Sequence, residues 1–213
     1  MKCKICQSRR PRRECPGVRG DICAVCCGTE REVTVNCPLD CAYLADARLH
    51  EKALEIDPEQ VPNKDVRISE SFLRDHSELL AVAGSALFQV SADTPGTADG
   101  DVAEALDALV RTYRTMDSGL IYETRPSNLM AAAIQQRVRE QIGQYQQQRR
   151  ERLGMETLRD ADVLGVLVFF QRLLFTNNNG RKRGRAFLDL LRKNFATGPA
   201  AGAAGGNLPL VTG

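Results

Sequence analysis

All eight cysteines of this 213-residue chain lie between Cys3 and Cys41. Their spacing includes two CxxC pairs, a cysteine doublet and a final CxxxC pair. Thiolates held in such short turns converge on one ion, and zinc takes four ligands in a tetrahedral arrangement. The segment also has few large apolar side chains, and chains this short usually need a metal or disulfides to fold. The sequence therefore predicts a Cys-rich zinc-binding module over residues 1–55.

We predict that this module binds two Zn²⁺ ions through four thiolates each. The predicted ligands are Cys3, Cys6, Cys15, Cys23, Cys26, Cys27, Cys37 and Cys41. Two allocations are open. The first puts Cys23, Cys26, Cys37 and Cys41 on one ion and Cys3, Cys6, Cys15 and Cys27 on the other; the alternative is a cross-braced allocation. His50 is a ninth candidate ligand, and an iron–sulfur cluster is the competing cofactor.

The elements predicted after Cys23 suggest a known type of module. A cysteine knuckle precedes a short strand over residues 31–35 and a helix that starts near Asn36. Cys37 and Cys41 are predicted on one face of that helix. The order resembles a treble-clef zinc finger, and the double site resembles fingers of the HIT and MYND type, over residues 1–54 only. The resemblance implies an interaction module that binds proteins and sometimes nucleic acid.

The rest of the chain shows helical periodicity. A linker over residues 56–66 is predicted to lead into an all-α helical domain over residues 67–196, with residues 197–213 as a disordered Gly/Ala-rich tail. About five helices are predicted, near residues 69–90, 99–116, 129–153, 161–175 and 183–195. The fourth is apolar nearly all round, so it belongs at the centre of a bundle or in an interface. The predicted fold class is therefore mainly α, and a homodimer is left open.

Several classes of protein are disfavoured by what the sequence lacks. There is no run of 18 apolar residues, so we expect no membrane span. The N-terminus has no apolar secretory core, so we expect a cytoplasmic protein whose cysteines bind metal and do not form disulfides. There are two histidines and no common catalytic motif, and all-thiolate zinc sites are structural. His76 falls on an apolar helix stripe and is predicted to be a core residue. We therefore predict that the protein is not an enzyme.

Two basic clusters leave alternatives open. Seven cations lie in the first twenty residues, with Glu14 as the only acid. They are Lys2, Lys4, Arg9, Arg10, Arg12, Arg13 and Arg19. Such a cluster is typical either of phosphate contact or of counter-charge for tetrathiolate zinc. Residues 180–185 hold four more cations, for which we favour a solubilising turn over phosphate contact.

The predicted function is a non-enzymatic, zinc-stabilised adaptor or regulatory protein that recognises a protein partner. One alternative is a thiol-based redox sensor that releases zinc on oxidation. The other is a nucleic-acid-binding regulator that uses the basic clusters.

Overall fold

The computed structural model describes residues 1–52, 55–154 and 158–196, and helix dominates, which confirms the predicted mainly α class. The N-terminal part forms a hairpin of β1 (Arg13–Cys15) and β2 (Gly20–Ile22), then α1 (Ala24–Glu30) and α2 (Ala42–Arg48). The remaining helices are α3 (Glu70–Asp75), α4 (Ser77–Asp93), α5 (Asp99–Asp117), α6 (Leu129–Leu153), α7 (Asp160–Asn177) and α8 (Ala186–Phe195). The predicted tail over residues 197–213 lies outside the described residues.

The β hairpin is an element that the sequence patterns did not predict. Its strands are antiparallel, with Arg13 opposite Ile22 and Cys15 opposite Gly20. They are joined by a 3₁₀ turn, Pro16–Val18, which Arg19 ends in the left-handed conformation. Each strand has only three residues. This is too short for the alternation of apolar and polar residues by which a strand is recognised.

Two local predictions between Cys23 and Cys41 are wrong. Residues 31–35 form a turn closed by one bridge between Arg31 and Val35, and not a strand. The backbone N–H groups of residues 33, 34 and 35 all donate to the carbonyl of Glu30, so they are not free to pair in a sheet. Helix α2 begins at Ala42 with Cys41 as its N-cap, so Cys37 lies in the loop before the helix. This stretch therefore differs from the strand–helix order of the treble-clef resemblance.

The helical bundle follows the predicted pattern except at its first helix and at the start of α8, which begins at Ala186, three residues later than predicted. Helix α6 has the predicted ends, and α5 ends one residue later than predicted. The predicted helix over residues 69–90 is divided into α3 and α4 at His76. Both the backbone N–H and the imidazole Nδ1 of His76 contact the carbonyl oxygen of Phe72, at 3.1 and 2.9 Å. The side chain thus competes with the helix ladder at this point.

Helix α7 lies at the centre of the bundle, as its all-round apolar pattern predicted. Every residue from Asp162 to Leu174 is buried, and the helix packs against α4, α5 and α8. Phe170 and Leu173 are fully buried. Because charged residues inside this run are enclosed as well, they must have partners in neighbouring segments.

The segment predicted as a linker is fixed to the bundle by such a charge. Arg172 of α7 is 6% exposed, and its guanidinium donates to the carbonyls of Pro62, Asn63 and Val66 at 3.1, 2.5 and 2.8 Å. Arg114 of α5 adds a bidentate contact with Asp65, at 2.8 Å for both pairs of atoms. Residues 62–66 therefore have defined contacts that Pro-based linker prediction does not anticipate.

Candidate metal centre

Four cysteines from two separate turns form one compact cluster. The ligand atoms of Cys3, Cys6, Cys23 and Cys26 all lie within 4.8 Å of one another. Cys3, Cys23 and Cys26 are buried, and Cys6 is partly exposed. This group, which we call the first cysteine cluster, can hold a metal ion, and an all-sulfur donor set suits zinc or an iron–sulfur centre.

Each CxxC turn of the first cysteine cluster is shaped by local hydrogen bonds. Cys23 caps α1, and its sulfur accepts the backbone N–H of Cys26 at 3.4 Å. In the N-terminal turn, Gln7 donates its N–H to the Cys3 carbonyl at 2.8 Å and adopts a φ of 54°. The two turns are tied together by the Cys23 N–H, which donates to the Cys3 sulfur at 3.2 Å. Both turns therefore present their sulfurs to a common point.

The electrostatics of the first cysteine cluster favour a cation. A hydrogen bond from the Ser8 hydroxyl, with further bonds from backbone N–H groups, lowers the pKa of Cys6 to about 5. Burial and hydrogen bonds with neighbouring sulfurs raise the pKa of Cys26 to about 12. Neighbouring thiols that shift in opposite directions share protons, because four adjacent thiolates repel one another. A divalent cation removes that repulsion, so metal binding releases the remaining protons.

The structure decides against the first of the two predicted allocations. It brings Cys3 and Cys6 together with Cys23 and Cys26, which is a cross-braced arrangement. The other four predicted ligands, Cys15, Cys27, Cys37 and Cys41, lie together along the wall of a separate cavity. Cys26 and Cys27 point to different groups because adjacent residues on a helix do not face the same side. All eight cysteines are free thiols in the structure.

Neither histidine belongs to these cysteine groups. His50 is exposed and is not among the residues that line the cavity or form the first cysteine cluster. His76 stacks on Phe72 with ring centroids 4.3 Å apart, and its Nε2 lies 3.6 Å from the Asp162 carboxylate. These contacts are structural, but His76 is only partly buried, so it lies at the edge of the core and not within it as predicted.

Six of the seven N-terminal cations divide into two sets, and the seventh, Lys4, donates to the Arg19 carbonyl at 2.8 Å. Interaction with the Cys23 sulfur raises the pKa of the Arg9 guanidinium, and Arg13 donates to the sulfur of Cys27 at 3.3 Å. These two provide counter-charge to cysteines. A second set is exposed and forms no ion pair with a carboxylate among the described residues: Lys2, Arg10, Arg12 and Arg19. The N-terminal basic cluster therefore contains residues suited to each of its predicted roles, counter-charge for cysteine sulfurs and contact with phosphate.

Sequence reasoning missed Glu32, the most enclosed acidic residue in the described part of the chain. Its residue exposure is 0%, and its φ of 54° is in the left-handed region. Its carboxylate accepts from Arg48 at 3.0 Å, from the Asn179 amide at 2.7 Å and from the Arg185 N–H at 2.9 Å. Glu32 therefore joins the Cys-rich segment to the loop before α8. A negative residue in a turn gives no periodic signal, so only tertiary contacts reveal it.

The basic run at residues 180–185 is part of the same junction, which corrects the predicted solubilising turn. Arg181 donates to the Arg31 carbonyl at 2.8 Å and lies 3.5 Å from the Glu51 carboxylate. The N–H of Arg183 donates to the Glu32 carbonyl at 2.8 Å. Arg185 donates through Nη1 to the Cys37 carbonyl at 3.3 Å. Two of the four cationic side chains, those of Arg181 and Arg185, therefore contact the Cys-rich segment and are not free to contact phosphate.

Comparisons with protein-family models, with curated proteins and with solved structures each find no match. Over the described parts of the chain, none of the helices combines the length and the apolar character that a bilayer span requires.

Proposed function

We propose that this protein is a non-enzymatic, zinc-stabilised adaptor or regulatory protein that recognises a protein partner. The observation that carries the proposal is the first cysteine cluster, whose four sulfur donors leave no place in a tetrahedral zinc site for water or substrate. Zinc is favoured over iron because the cysteine spacing does not match the common ferredoxin runs. With eight clustered cysteines, we propose two zinc ions for each chain.

The composition of the Cys-rich core supports a structural role for the metal. The hydrophobic core of this segment contains five cysteines and, among the described residues, three other apolar side chains, Ile22, Val35 and Leu44. Segments with so few buried aliphatic side chains usually need a metal or disulfides to fold. The free energy of metal–sulfur bonding contributes directly to the folding of such modules.

The recognition surface proposed for the partner lies on α1. Val25 is 51% exposed and stands between two predicted ligands, Cys23 and Cys26. An ion held by those neighbours fixes the direction in which this apolar side chain is presented. Partner binding should therefore depend on both the metal and Val25.

Capture of a partner from lysate on immobilised protein tests this proposal. We expect capture by the zinc-loaded protein, loss after chelation and recovery on adding zinc. Val25→Ser should weaken capture at unchanged zinc content. Ile121→Ser, which alters a fully exposed apolar residue on the bundle, should have no effect. Capture that survives chelation and Val25→Ser but fails with Ile121→Ser would contradict the proposed surface.

Nucleic-acid binding is the second candidate, favoured by the exposed set of Lys2, Arg10, Arg12 and Arg19. Residues 1–50 contain nine Lys or Arg and six Asp or Glu. Each tetrathiolate zinc centre adds a formal charge near −2, so two ions leave this segment nearly neutral. We therefore expect weak binding to a duplex oligonucleotide. Tight binding that falls steeply as salt is raised would favour this candidate.

A redox sensor is the remaining candidate, because Cys6, Cys27 and Cys41 are partly exposed. Exposure gives an oxidant access to sulfur. Rapid zinc release by dilute peroxide, reversed by a thiol reductant, would favour this role over the adaptor.

A further inference from the structure

We propose that Cys15, Cys27, Cys37 and Cys41 bind a second zinc ion, and that this ion fixes the Cys-rich segment to the helical bundle. The four residues form what we call the second cysteine group. The inference deepens the proposed function, since it rests on zinc as the metal, but it is independent of any partner. It names which cysteines hold the second ion and what that ion does.

The second cysteine group is assembled from four different places in the chain. Cys15 ends β1, Cys27 lies in α1, Cys37 is in the following loop and Cys41 caps α2. All four line one cavity of about 20 Å³. A volume of this size holds about one water-sized sphere. The cavity is therefore suited to a single ion and not to an organic ligand.

The second cysteine group is more open than the first cysteine cluster. Among the described residues, no other set of three or more potential ligands has all its ligand atoms within 4.8 Å. A contraction around the ion is therefore part of the proposal. It is feasible because Cys37 and Cys41 belong to a loop and a helix cap, whose backbone is less constrained than a helix interior.

Two guanidinium groups are directed at the second cysteine group. Arg13 Nη1 lies 3.3 Å and Arg31 Nη2 lies 3.9 Å from the sulfur of Cys27. Neither forms an ion pair with a carboxylate in the described parts of the chain, and the Nε of Arg31 is buried without a hydrogen-bond partner. Arg13 also lies over the Tyr43 ring, 4.6 Å from its centroid, but a second cation beside the same sulfur is favoured when that sulfur belongs to an anionic centre. A tetrathiolate around a divalent ion is such a centre, and donors to its sulfurs are its normal surroundings.

The contacts of the loop between Cys37 and Cys41 link this site to the bundle. Leu39, between the two cysteines, packs against the hydrophobic core of the bundle. The carbonyl of Cys37 accepts from Arg185, the residue just before α8. An ion that holds both ends of the loop therefore holds Leu39 and the Cys37 carbonyl in their docked positions. The first cysteine cluster has no equivalent contact with the bundle among the described hydrogen bonds.

Metal analysis of the full chain tests the assignment. The reduced protein is stripped with chelator, reconstituted with zinc alone and freed of excess ion. We expect two zinc ions for each wild-type chain. The double variant Cys37→Ser/Cys41→Ser should retain one, and the matched double variant Cys3→Ser/Cys6→Ser should also retain one. An unchanged zinc content in Cys37→Ser/Cys41→Ser would overturn the proposal.

Thiol labelling of the wild-type protein keeps the test valid if a variant fails to fold. Zinc should protect all eight thiols from alkylation, and mild chelation should expose them in two sets that match the two cysteine groups. One zinc ion per chain, with Cys15, Cys27, Cys37 and Cys41 labelled freely or joined in disulfides, would overturn the second site. Such a result leaves the proposed function intact, because the first cysteine cluster would still hold zinc.

Hydrogen exchange tests the fixing role. Loss of the second ion should speed exchange at least tenfold in the backbone N–H groups of Arg183 and Arg185, which donate to Glu32. Loss of the first ion alone should change them much less. Equal effects of the two double variants would show that the second ion has no special role in docking. Retained partner capture with altered exchange would separate this role from the proposed function.

Discussion

Asp99 shows how much a single buried carboxylate contributes to the arrangement of the bundle. It is 5% exposed, and its two oxygens accept the backbone N–H groups of Phe187 and Leu188 at 3.0 and 3.1 Å. These are orphan donors in the first turn of α8, so Asp99 of α5 caps a different helix. Burial nevertheless outweighs the two hydrogen bonds and raises the pKa of Asp99 to about 7.

The raised pKa predicts a pH dependence of stability with a definite sign. The folded state holds the Asp99 proton up to about pH 7, whereas the unfolded state releases it near the ordinary value of 3.8. The contribution of Asp99 to stability is therefore fully present below about pH 4 and is lost as pH rises to 7. Between pH 5 and 8 the wild type should lose about 2–3 kcal/mol relative to Asp99→Asn, which cannot titrate.

Urea unfolding of the wild type and of Asp99→Asn at saturating zinc measures this difference. Because metal binding depends on pH equally in the two proteins, subtracting one free energy of unfolding from the other removes that contribution. Asp117→Asn is the control, because Asp117 lies exposed at the other end of α5. The free energy of unfolding of Asp117→Asn should change with pH in the same way as that of the wild type. A difference between wild type and Asp99→Asn that is constant from pH 5 to 8 would contradict the assigned pKa.

At the scale of elements, close helix packing depends on two glycines under aromatic rings. A Cβ built on Gly84 in α4 would lie 2.6 Å from ring atoms of Phe195 in α8. One built on Gly165 in α7 would lie 2.5 Å from the Phe72 ring of α3. Contacts that short are not tolerated, so alanine at either position must displace a ring.

The predicted consequence is that Gly84→Ala destabilises the bundle. Alanine raises helix propensity by about 1 kcal/mol, but overpacking of a well-packed contact costs about 1–3 kcal/mol. Phe195 also packs edge-on against Phe170, at 5.7 Å between centroids, so its ring cannot move freely. We expect a net loss of up to about 2 kcal/mol in the free energy of unfolding.

Gly143→Ala is the matched control for this prediction. Gly143 lies within α6, and a Cβ there would have no neighbour within 4 Å. This variant should therefore gain about 0.5–1 kcal/mol from propensity alone. Denaturant midpoints compared at a common m value check both changes. Equal stabilisation by the two alanine substitutions would show that the Phe195 ring moves aside without cost, and would contradict the prediction.

The elements that were predictable from the sequence are those with long apolar periodicity. Helix α6 repeats its apolar stripe over 25 residues and was placed at its observed ends. The strands β1 and β2 and the break at His76 depend on three-residue segments and on one side-chain contact, so no periodic signal marks them. Cysteine spacing predicted the ligand types, but which cysteines converge depends on the hairpin and on α1. Tertiary structure was needed for that step.

At the scale of the whole molecule, buried cations fix segments that sequence patterns separate. Arg172 reaches three carbonyls of residues 62–66, and its pKa is lowered by burial. Arg172→Met should leave those carbonyls without a donor and cost about 2–4 kcal/mol in the free energy of unfolding. Urea unfolding measures that cost.

Arg192→Met, which removes an ion pair with Asp189 three residues earlier on α8, is the control and should cost less than about 1 kcal/mol. Similar costs would show that the Arg172 contacts with residues 62–66 are dispensable.

The junction between the Cys-rich segment and the bundle depends most on Glu32. Arg48 bridges its carboxylate to that of Asp189 in α8, with both distances at 3.0 Å. Three donors, one from α2 and two from the loop before α8, thus converge on one buried charge. Removal of one member of a buried ion pair costs about 3–5 kcal/mol when its partner is left uncompensated. If Glu32 loses its charge, Arg48 still forms its ion pair with Asp189. The loss in the free energy of unfolding should therefore be smaller than that range.

We therefore predict that Glu32→Gln lowers the free energy of unfolding by about 2–3 kcal/mol, because the amide keeps one acceptor but turns its N–H donors toward the donors of Asn179 or Arg185. Glu30→Gln, two residues earlier, is the control, since the Glu30 carboxylate accepts, among the described hydrogen bonds, only from the hydroxyls of Thr29 and Thr34. It should cost less than about 1 kcal/mol. Urea unfolding followed by far-UV circular dichroism, at saturating zinc, measures both changes. If the two variants lose equal stability, Glu32 is not the residue that joins the two parts, because a buried charge with three donors cannot be worth the same as a surface hydrogen bond.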